Sequence, residues 1–287
     1  MKVSKQLWCP CCNNKNFTEV VKLDKNRFDS FIKLSEIKYS GKISNFAFSN
    51  IPIILKCSDC NHYWYKVYPS DKFLKTMYDN KRSLTESDSS INPYIYKEIK
   101  KLKKFFTKSN PKFLDYGSGY GKWSYAANQE GFNVTSYEPS LERSNKFGNA
   151  FHNVSSLKTL EDQKFDLINL EQVLEHVSNL DIFLKNIKKY MSTSTILRIT
   201  VPNMEKYNSK DTWLSWPFDG SKIHIMSPYE HLHGFNYDSL RNLIERNGFK
   251  QLKINLINKY SPYYLIRKIL SKFFISLRTT KLFVQLK

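Results

Sequence analysis

Two C-x-x-C pairs stand in the first 60 residues, Cys9/Cys12 in "CPCC" and Cys57/Cys60 in "CSDC". With Cys11 they are all the cysteines of the 287-residue chain. A tight turn lets each pair grip one ion through two thiolates. Two pairs complete a tetrahedral shell of four sulfurs, which suits zinc. The competing chemistry is that of reduced thiols or one redox pair. Two clustered pairs in an otherwise cysteine-free chain favour the metal. Four sulfurs leave no open position, so such a zinc is structural. Cys11 is spare and could replace either neighbour. The 44-residue gap between the pairs requires an inserted hairpin.

The second constellation is "FLDYGSGYGKWS", Phe113 to Ser124, with Gly117, Gly119 and Gly121 at alternate positions. It follows an apolar run and leads into a helical one. Glu138 closes the next apolar run, about twenty residues after the loop, where an acid can bind both ribose hydroxyls. Glycine turns alone are weak evidence, but the loop with Asp115 and Glu138 points to an adenosine ligand. Dinucleotide folds use G-x-G-x-x-G and bring a helix N-terminus to a pyrophosphate. Here the spacing is G-x-G-x-G. Asp115, two residues before the first glycine, repels phosphates and suits an ammonium. S-adenosylmethionine carries an ammonium, a carboxylate and no phosphate.

The elements that position these groups alternate in type. "KFLDY", "FNVTSYE", "AFHNV", "KFDLINL" and "TILRITVP" read as strands. "NPYIYKEIKKLKKFF", "GKWSYAANQE", "SLERSNKFG" and "LDIFLKNIKKYM" read as helices. Alternation predicts an α/β fold with a parallel sheet covered by helices on both faces. The cysteine module covers residues 1–69, with strands near "FAF" and "IPIILKC". A helical linker follows at 70–110, then the sheet domain at 111–257, with a substrate-lid insertion expected at 203–233. Residues 258–287 form a basic amphipathic segment. The net charge of +19 favours acidic partners. No run reaches the roughly 20 apolar residues of a membrane span. The start lacks a signal-peptide core, which predicts a cytoplasmic home.

Over roughly residues 90 to 257 the chain resembles the class I S-adenosylmethionine-dependent methyltransferases. "FLDYGSGYGKWS" is similar to the family's first motif and "SYEPS" to its ribose-binding acid. "FDLINLEQVLEHVSN", "LRITVPN" and "EHLHGFNYDSLRNLIERNGF" are similar to later blocks of the ubiquinone-biosynthesis O-methyltransferase type. The resemblance implies a Rossmann-like seven-stranded sheet with one antiparallel strand. It implies cofactor contacts from Asp115, Tyr116, Gly117, Ser118 and Gly119, from Glu138 and Pro139 at the ribose, from Ser156 and Leu157 beside the adenine, and from Glu171 and Gln172. Many members have an aspartate near Ser156, where serines stand here. Ubiquinone-type enzymes often show E-x-x-E-H, a metal constellation. Gln172 replaces its first acid, with Glu175 and His176 retained, so no catalytic metal is expected. "IPIILKCSDCNHYWY" resembles the second knuckle of the zinc domain ahead of some sugar methyltransferases, which points to polysaccharide biosynthesis. The carbon-methylating ones usually carry a further large C-terminal domain, which tilts the expectation toward O-methylation.

A hydroxyl acceptor needs a base as its oxygen attacks the sulfonium methyl in line. The candidates are His176, His224, His231 and His233, with His231 first and His176 second. The insertion "EKYNSKDTWLSWPFDGSK" is rich in aromatics and reads either as a lid stacking on a sugar or as a loop held by its own rings. The expected acceptor is a small molecule or carbohydrate. RNA is the alternative, suggested by the basic chain and zinc module. Against it, the fourth strand ends in "INLEQ" rather than an N-P-P-Y motif, and no cysteine nucleophile lies in the catalytic region. A binding module without catalysis is a third reading. "PYYLIRKILSKFFISLRTTKLF" fits an anionic membrane surface, a packed helix or a dimer contact equally.

Overall fold

The computed structural model describes residues 4–38, 52–74, 90–140, 143, 150–219, 222–229, 231–252 and 279–287. The chain begins with β1 (Ser4–Lys5), β2 (Phe17–Lys22), α1 (Lys25–Lys38), β3 (Ile53–Cys57), β4 (Tyr63–Tyr65) and β5 (Val67–Tyr68). It continues through α2 (Pro93–Lys103), β6 (Lys112–Tyr116), α3 (Lys122–Gln129), β7 (Asn133–Tyr137), β8 (His152–Val154), β9 (Phe165–Glu171), α4 (Leu180–Ile187) and β10 (Met191–Pro202). Last come β11 (Phe218–Asp219), β12 (Lys222–Ile223), β13 (His233–Gly234), α5 (Tyr237–Arg246), β14 (Phe249–Gln251) and β15 (Thr279–Leu286). These elements sort into two compact units.

The unit formed by Ser89–Val173, Asp181–Val201 and Asn247–Lys287 holds a seven-stranded sheet. Its order is β14-β15-β10-β9-β6-β7-β8. The β6/β7, β7/β8, β6/β9 and β9/β10 pairs are parallel, and β14/β15 is antiparallel. Consecutive apolar residues such as Phe113 and Leu114 are both buried, as a sheet covered on both faces requires. Helix α2 starts where Asn92 accepts a hydrogen bond from the Tyr94 amide and Pro93 presets the first turn. Its apolar stripe, Ile95, Ile99 and Leu102, packs with Trp123 and Ala126 of α3 and with Phe113, Val134 and Leu167 of the sheet. The segment expected as a linker therefore contributes a core helix.

The C-terminal expectation also changes. Thr279–Leu286 is a strand lying between β14 and β10, with Leu282 and Val284 fully buried. Short-range composition, dominated by the preceding Lys and Arg, hid a strand whose partners are distant in sequence. The amphipathic stretch at 253–278 lies outside the described residues, as do "FAF" and most of the helix expected at "SLERSNKFG". Among the described residues no helix is long and apolar enough to cross a membrane.

The second unit gathers Met1–Asp88, Leu174–Leu180 and Pro202–Arg246. Its main sheet has the order β13-β4-β3-β2, all antiparallel. Between the cysteine pairs the chain forms the expected antiparallel pair, β2 with β3, and helix α1 lies in the connection between them. The aromatic insertion belongs to this core. Tyr207, Trp213 and Trp216 are buried. Tyr63 stacks on Trp213 at 5.3 Å, and the Trp216 indole donates to the Met226 carbonyl at 2.7 Å. These rings are packing groups rather than an exposed stacking surface.

Removing residues 279–287 deletes an internal strand. The truncated chain is expected to lose cooperative thermal unfolding of the sheet unit. An unchanged transition would mean that β15 is dispensable.

Candidate functional site

The glycine loop leaves the carboxyl end of β6. Gly117, Gly119 and Gly121 have φ of +75°, +55° and +73°, in the left-handed region that side chains rarely adopt. At Gly117 space adds to the demand, because a Cβ would stand 3.0 Å from Val173 Cγ2. The Gly117 and Ser118 amides donate to the Tyr137 carbonyl at 2.8 and 3.0 Å. Ser118 Oγ accepts from Ser136 Oγ at 2.7 Å. Buried Glu138 accepts from the Gly119 amide at 2.9 Å and from the Ser140 amide at 3.0 Å, one on each oxygen. Each oxygen keeps a second lone pair for a ligand hydroxyl. The Tyr116 ring meets Tyr137 and Phe183 edge-on. Pro139 is exposed. Exposed Ser156 caps a 3-10 turn that opens with half-buried Leu157.

Below the loop, the register aligns Ser136, Asp115, Asn169 and Arg198 side by side on β7, β6, β9 and β10. All four are at most 1% exposed. Asp115 accepts from Ser124 Oγ at 2.7 Å and from Asn169 Nδ2 at 2.8 Å. Asn169 Oδ1 accepts from Arg198 Nη1 at 2.7 Å. Arg198 also donates to Glu98 at 2.6 Å and Glu171 at 2.5 Å, and its guanidinium lies 3.9 Å from the Trp123 ring centre. Glu171, expected at the cofactor, is thus held by Arg198 and by Thr200 Oγ1 at 2.6 Å. Gln172 sits at φ +56° with its amide on the Thr200 carbonyl. Sequence reasoning missed Asn169, Arg198 and Glu98. For Asn169 and Arg198 the available signal was a polar residue flanked by apolar ones within a strand, as in "INL" and "LRI", while Glu98 lies on α2.

Burial pushes the Asp115 carboxyl up to about 6, and nearby Glu171 adds to this, while Ser124, Asn169 and Arg198 oppose it.

The four cysteines converge. Sγ atoms of Cys9, Cys12, Cys57 and Cys60 all lie within 4.8 Å of one another. Cys9 to Cys60 and Cys12 to Cys57 are each 3.5 Å apart. These gaps exceed the ~2.05 Å of a disulfide. They approach the roughly 3.8 Å edge of a tetrahedron with ~2.3 Å metal–sulfur bonds. Both knuckles close alike: Asn13 and Asn61, at φ +61° and +54°, return their amides to the Cys9 and Cys57 carbonyls. Hydrogen bonds from Cys11 and Cys60 hold the Cys9 thiol far below its usual range. Cys11 is buried, which pushes its thiol well up, and it lies outside the converging set.

The histidines separate into two kinds. His233 Nε2 donates to the Val177 carbonyl at 2.9 Å. Its Nδ1 must then accept, so His62 Nε2 donates to it across 3.1 Å. Burial lowers His62 to about 4 and holds His233 well below its ordinary value. His224, buried between Tyr207 and Trp213, accepts from the Met226 amide and is lowered to about 4, mainly by burial. These three are neutral packing groups. His176 and His231 are half-buried, with ring centres 4.6 Å apart. Ligand atoms of Glu175, His176 and His231 lie within 4.8 Å of one another, a donor set that could hold a divalent cation. The Leu232 amide donates to the Glu175 carbonyl at 2.6 Å, locking the two segments together.

This histidine segment is built onto the knuckles. β13 pairs with β4, His233 opposite Trp64. Asn236 Nδ2 donates to the Cys60 and Asn61 carbonyls, and Arg246 to those of Pro10 and Cys11.

A family described as methyltransferase domain matches residues 92–254, more than half of the chain. No curated protein matches. Among solved structures, the plantazolicin methyltransferase BamL, in complex with a triazolic desmethylPZN analog and SAH, superposes at a TM-score of 0.50 and 12% identity, covering 91% of this chain and all (100%) of that one. The PH0226 protein of Pyrococcus horikoshii OT3 does so at 0.50 and 13%, covering 76% and 100%. At such identities the likeness is one of fold.

A ligand ammonium needs the Asp115 carboxylate rather than the acid. Affinity for S-adenosylhomocysteine is therefore expected to rise with pH up to about 6 and level off above it. Asp115→Asn is expected to bind more weakly and to flatten this profile. Calorimetry between pH 5 and 8 measures both.

Proposed function

Because the chain belongs to the methyltransferase-domain family, we propose that it transfers the methyl group of S-adenosylmethionine to a hydroxyl of a small molecule, foremost a sugar in a glycan or nucleotide-sugar pathway. The cofactor reading is carried by the glycine loop, with the Asp115 carboxylate beneath it and Glu138 anchored by the Gly119 amide. Glu138 binds the ribose hydroxyls. Asp115 supplies the negative charge for the ammonium, and Ser156 and Leu157 border the adenine. The acceptor oxygen attacks the sulfonium methyl in line. The C–S bond breaks as the C–O bond forms, and S-adenosylhomocysteine leaves neutral at sulfur. The hydroxyl proton passes to a base. His231 fills that role, with His176 in contact and the Glu175 carboxylate in the same cluster to balance the imidazolium.

Cys9, Cys12, Cys57 and Cys60 fit one structural zinc, whose thiolate bonds would fix both knuckles and take no part in transfer. Purified protein is expected to contain one zinc per chain, lost in Cys57→Ser with cofactor affinity retained. Absence of zinc would refute the assignment. A second metal per chain, surviving Cys57→Ser, would place a cation at Glu175, His176 and His231.

The acceptor is tested by incubating the protein with labelled cofactor and glycan fractions, nucleotide sugars or total RNA. Label is expected in a carbohydrate fraction. Label in RNA alone would reverse the reading. On the acceptor found, His231→Ala is expected to lower turnover about 10²- to 10⁴-fold with cofactor affinity nearly unchanged. Loss only in His176→Ala would move the base to His176.

A further inference from the structure

The buried row beneath the glycine loop is unbalanced in charge. Among the described residues, three carboxylates, Glu98, Glu171 and Asp115, gather here against two cations, Arg198 and Lys281, with Glu171 and Lys281 only half-buried. Glu98 is paired with both cations, and Glu171 with Arg198. Burial raises the Glu98 carboxyl, but Arg198 and Lys281 outweigh it and hold it below its ordinary value. Asp115 has no ion pair among the described residues, only the neutral donors Ser124 and Asn169. The uncompensated negative charge therefore rests on the residue nearest the loop.

Asn169 connects that charge to the paired part of the row. Its amide nitrogen can only donate, here to Asp115, and its oxygen can only accept, here from Arg198. The two charged neighbours dictate which way the amide points, because a flipped amide would set oxygen against carboxylate and nitrogen against guanidinium. Arg198 in turn is held by its own partners. It is 1% exposed, bonded to Glu98 and Glu171, and stacked on Trp123. Its orientation thus reaches Asp115 through one rigid amide.

We infer that Arg198 and Asn169 are positioning residues for the amino-acid end of the cofactor: Arg198 orients Asn169, and Asn169 holds the Asp115 carboxylate toward the ligand's ammonium. The cofactor ammonium supplies the third positive charge and completes the row. The inference rests on the cofactor reading of the glycine loop. It goes beyond it in assigning binding specificity to two residues on β9 and β10 that need not touch the ligand.

Two probes separate this role from a general loss of structure. S-adenosylhomocysteine carries the ammonium and carboxylate. 5′-Methylthioadenosine keeps the adenosine and thioether but lacks the amino-acid end. With the full chain and calorimetry at pH 7.5, Asn169→Ala is expected to weaken S-adenosylhomocysteine about 10- to 100-fold, while 5′-methylthioadenosine changes by less than about twofold. Arg198→Met is expected to act in the same direction, and Arg198→Lys, which keeps the charge, to restore part of the loss. Where Arg198→Met fails to fold, Asn169→Ala carries the test. Equal loss for both ligands, or no loss for either, would overturn the relay. Wild-type protein that binds neither ligand would overturn the cofactor reading, and the relay with it.

Discussion

A guanidinium buried in a mostly parallel sheet constrains the sheet unit through three of its elements. Stripping a charge of water costs several kcal/mol, and only well-placed partners offset it. Arg198 finds them on three elements: Glu98 on α2, Asn169 and Glu171 on β9, and the Trp123 face on α3. A one-residue slip of β9 against β10 would turn Asn169 and Glu171 to the opposite face and leave the charge bare. The ion thus specifies register and helix docking together. It does so directly beneath the loop whose glycines open the backbone to a ligand.

The same economy governs Asp115. Its neighbours could have been apolar, which would have kept the strand cheap to bury. Instead the carboxylate is held by Ser124 and Asn169, poised near its protonation point. A site that already contains a cation's counter-charge, fixed in place, binds that cation with little reorganisation. Glu138, the proposed ribose ligand, follows a similar logic, since two backbone amides hold its carboxylate.

In the other unit the four sulfurs have the corresponding role. The four-stranded antiparallel sheet packs with buried rings such as Trp64, Trp213 and Trp216, and a metal closing two knuckles would tie the cysteine turns to that core. What rests on those knuckles is the segment carrying His231. It joins their sheet through β13, and Asn236 and Arg246 grip the two cysteine turns by their carbonyls. The cysteine module is therefore part of the framework that holds His176 and His231 in contact, rather than an appendage ahead of it.

Much of this was legible in the chain alone. Local signals carried it: alternating strands and helices gave the α/β sheet, glycine spacing with Asp115 and Glu138 located the loop, and two C-x-x-C pairs picked out the four converging sulfurs, while the exclusion of Cys11 came from the fold. These depend on residues a few positions apart, so spacing suffices. The resemblance supplied His176 and His231, but only folding brought their rings to 4.6 Å, across 55 residues of sequence, and sorted them from the buried His224 and His233. Folding alone also placed β15 inside the sheet, α2 in its core, and the aromatic insertion in packing. The polar row is the clearest case. Asn169 and Arg198 are polar residues flanked by apolar ones, and their meaning depends on register between strands that lie far apart in sequence. Cross-strand register is set by the summed burial and pairing of the whole sheet, which no local pattern contains.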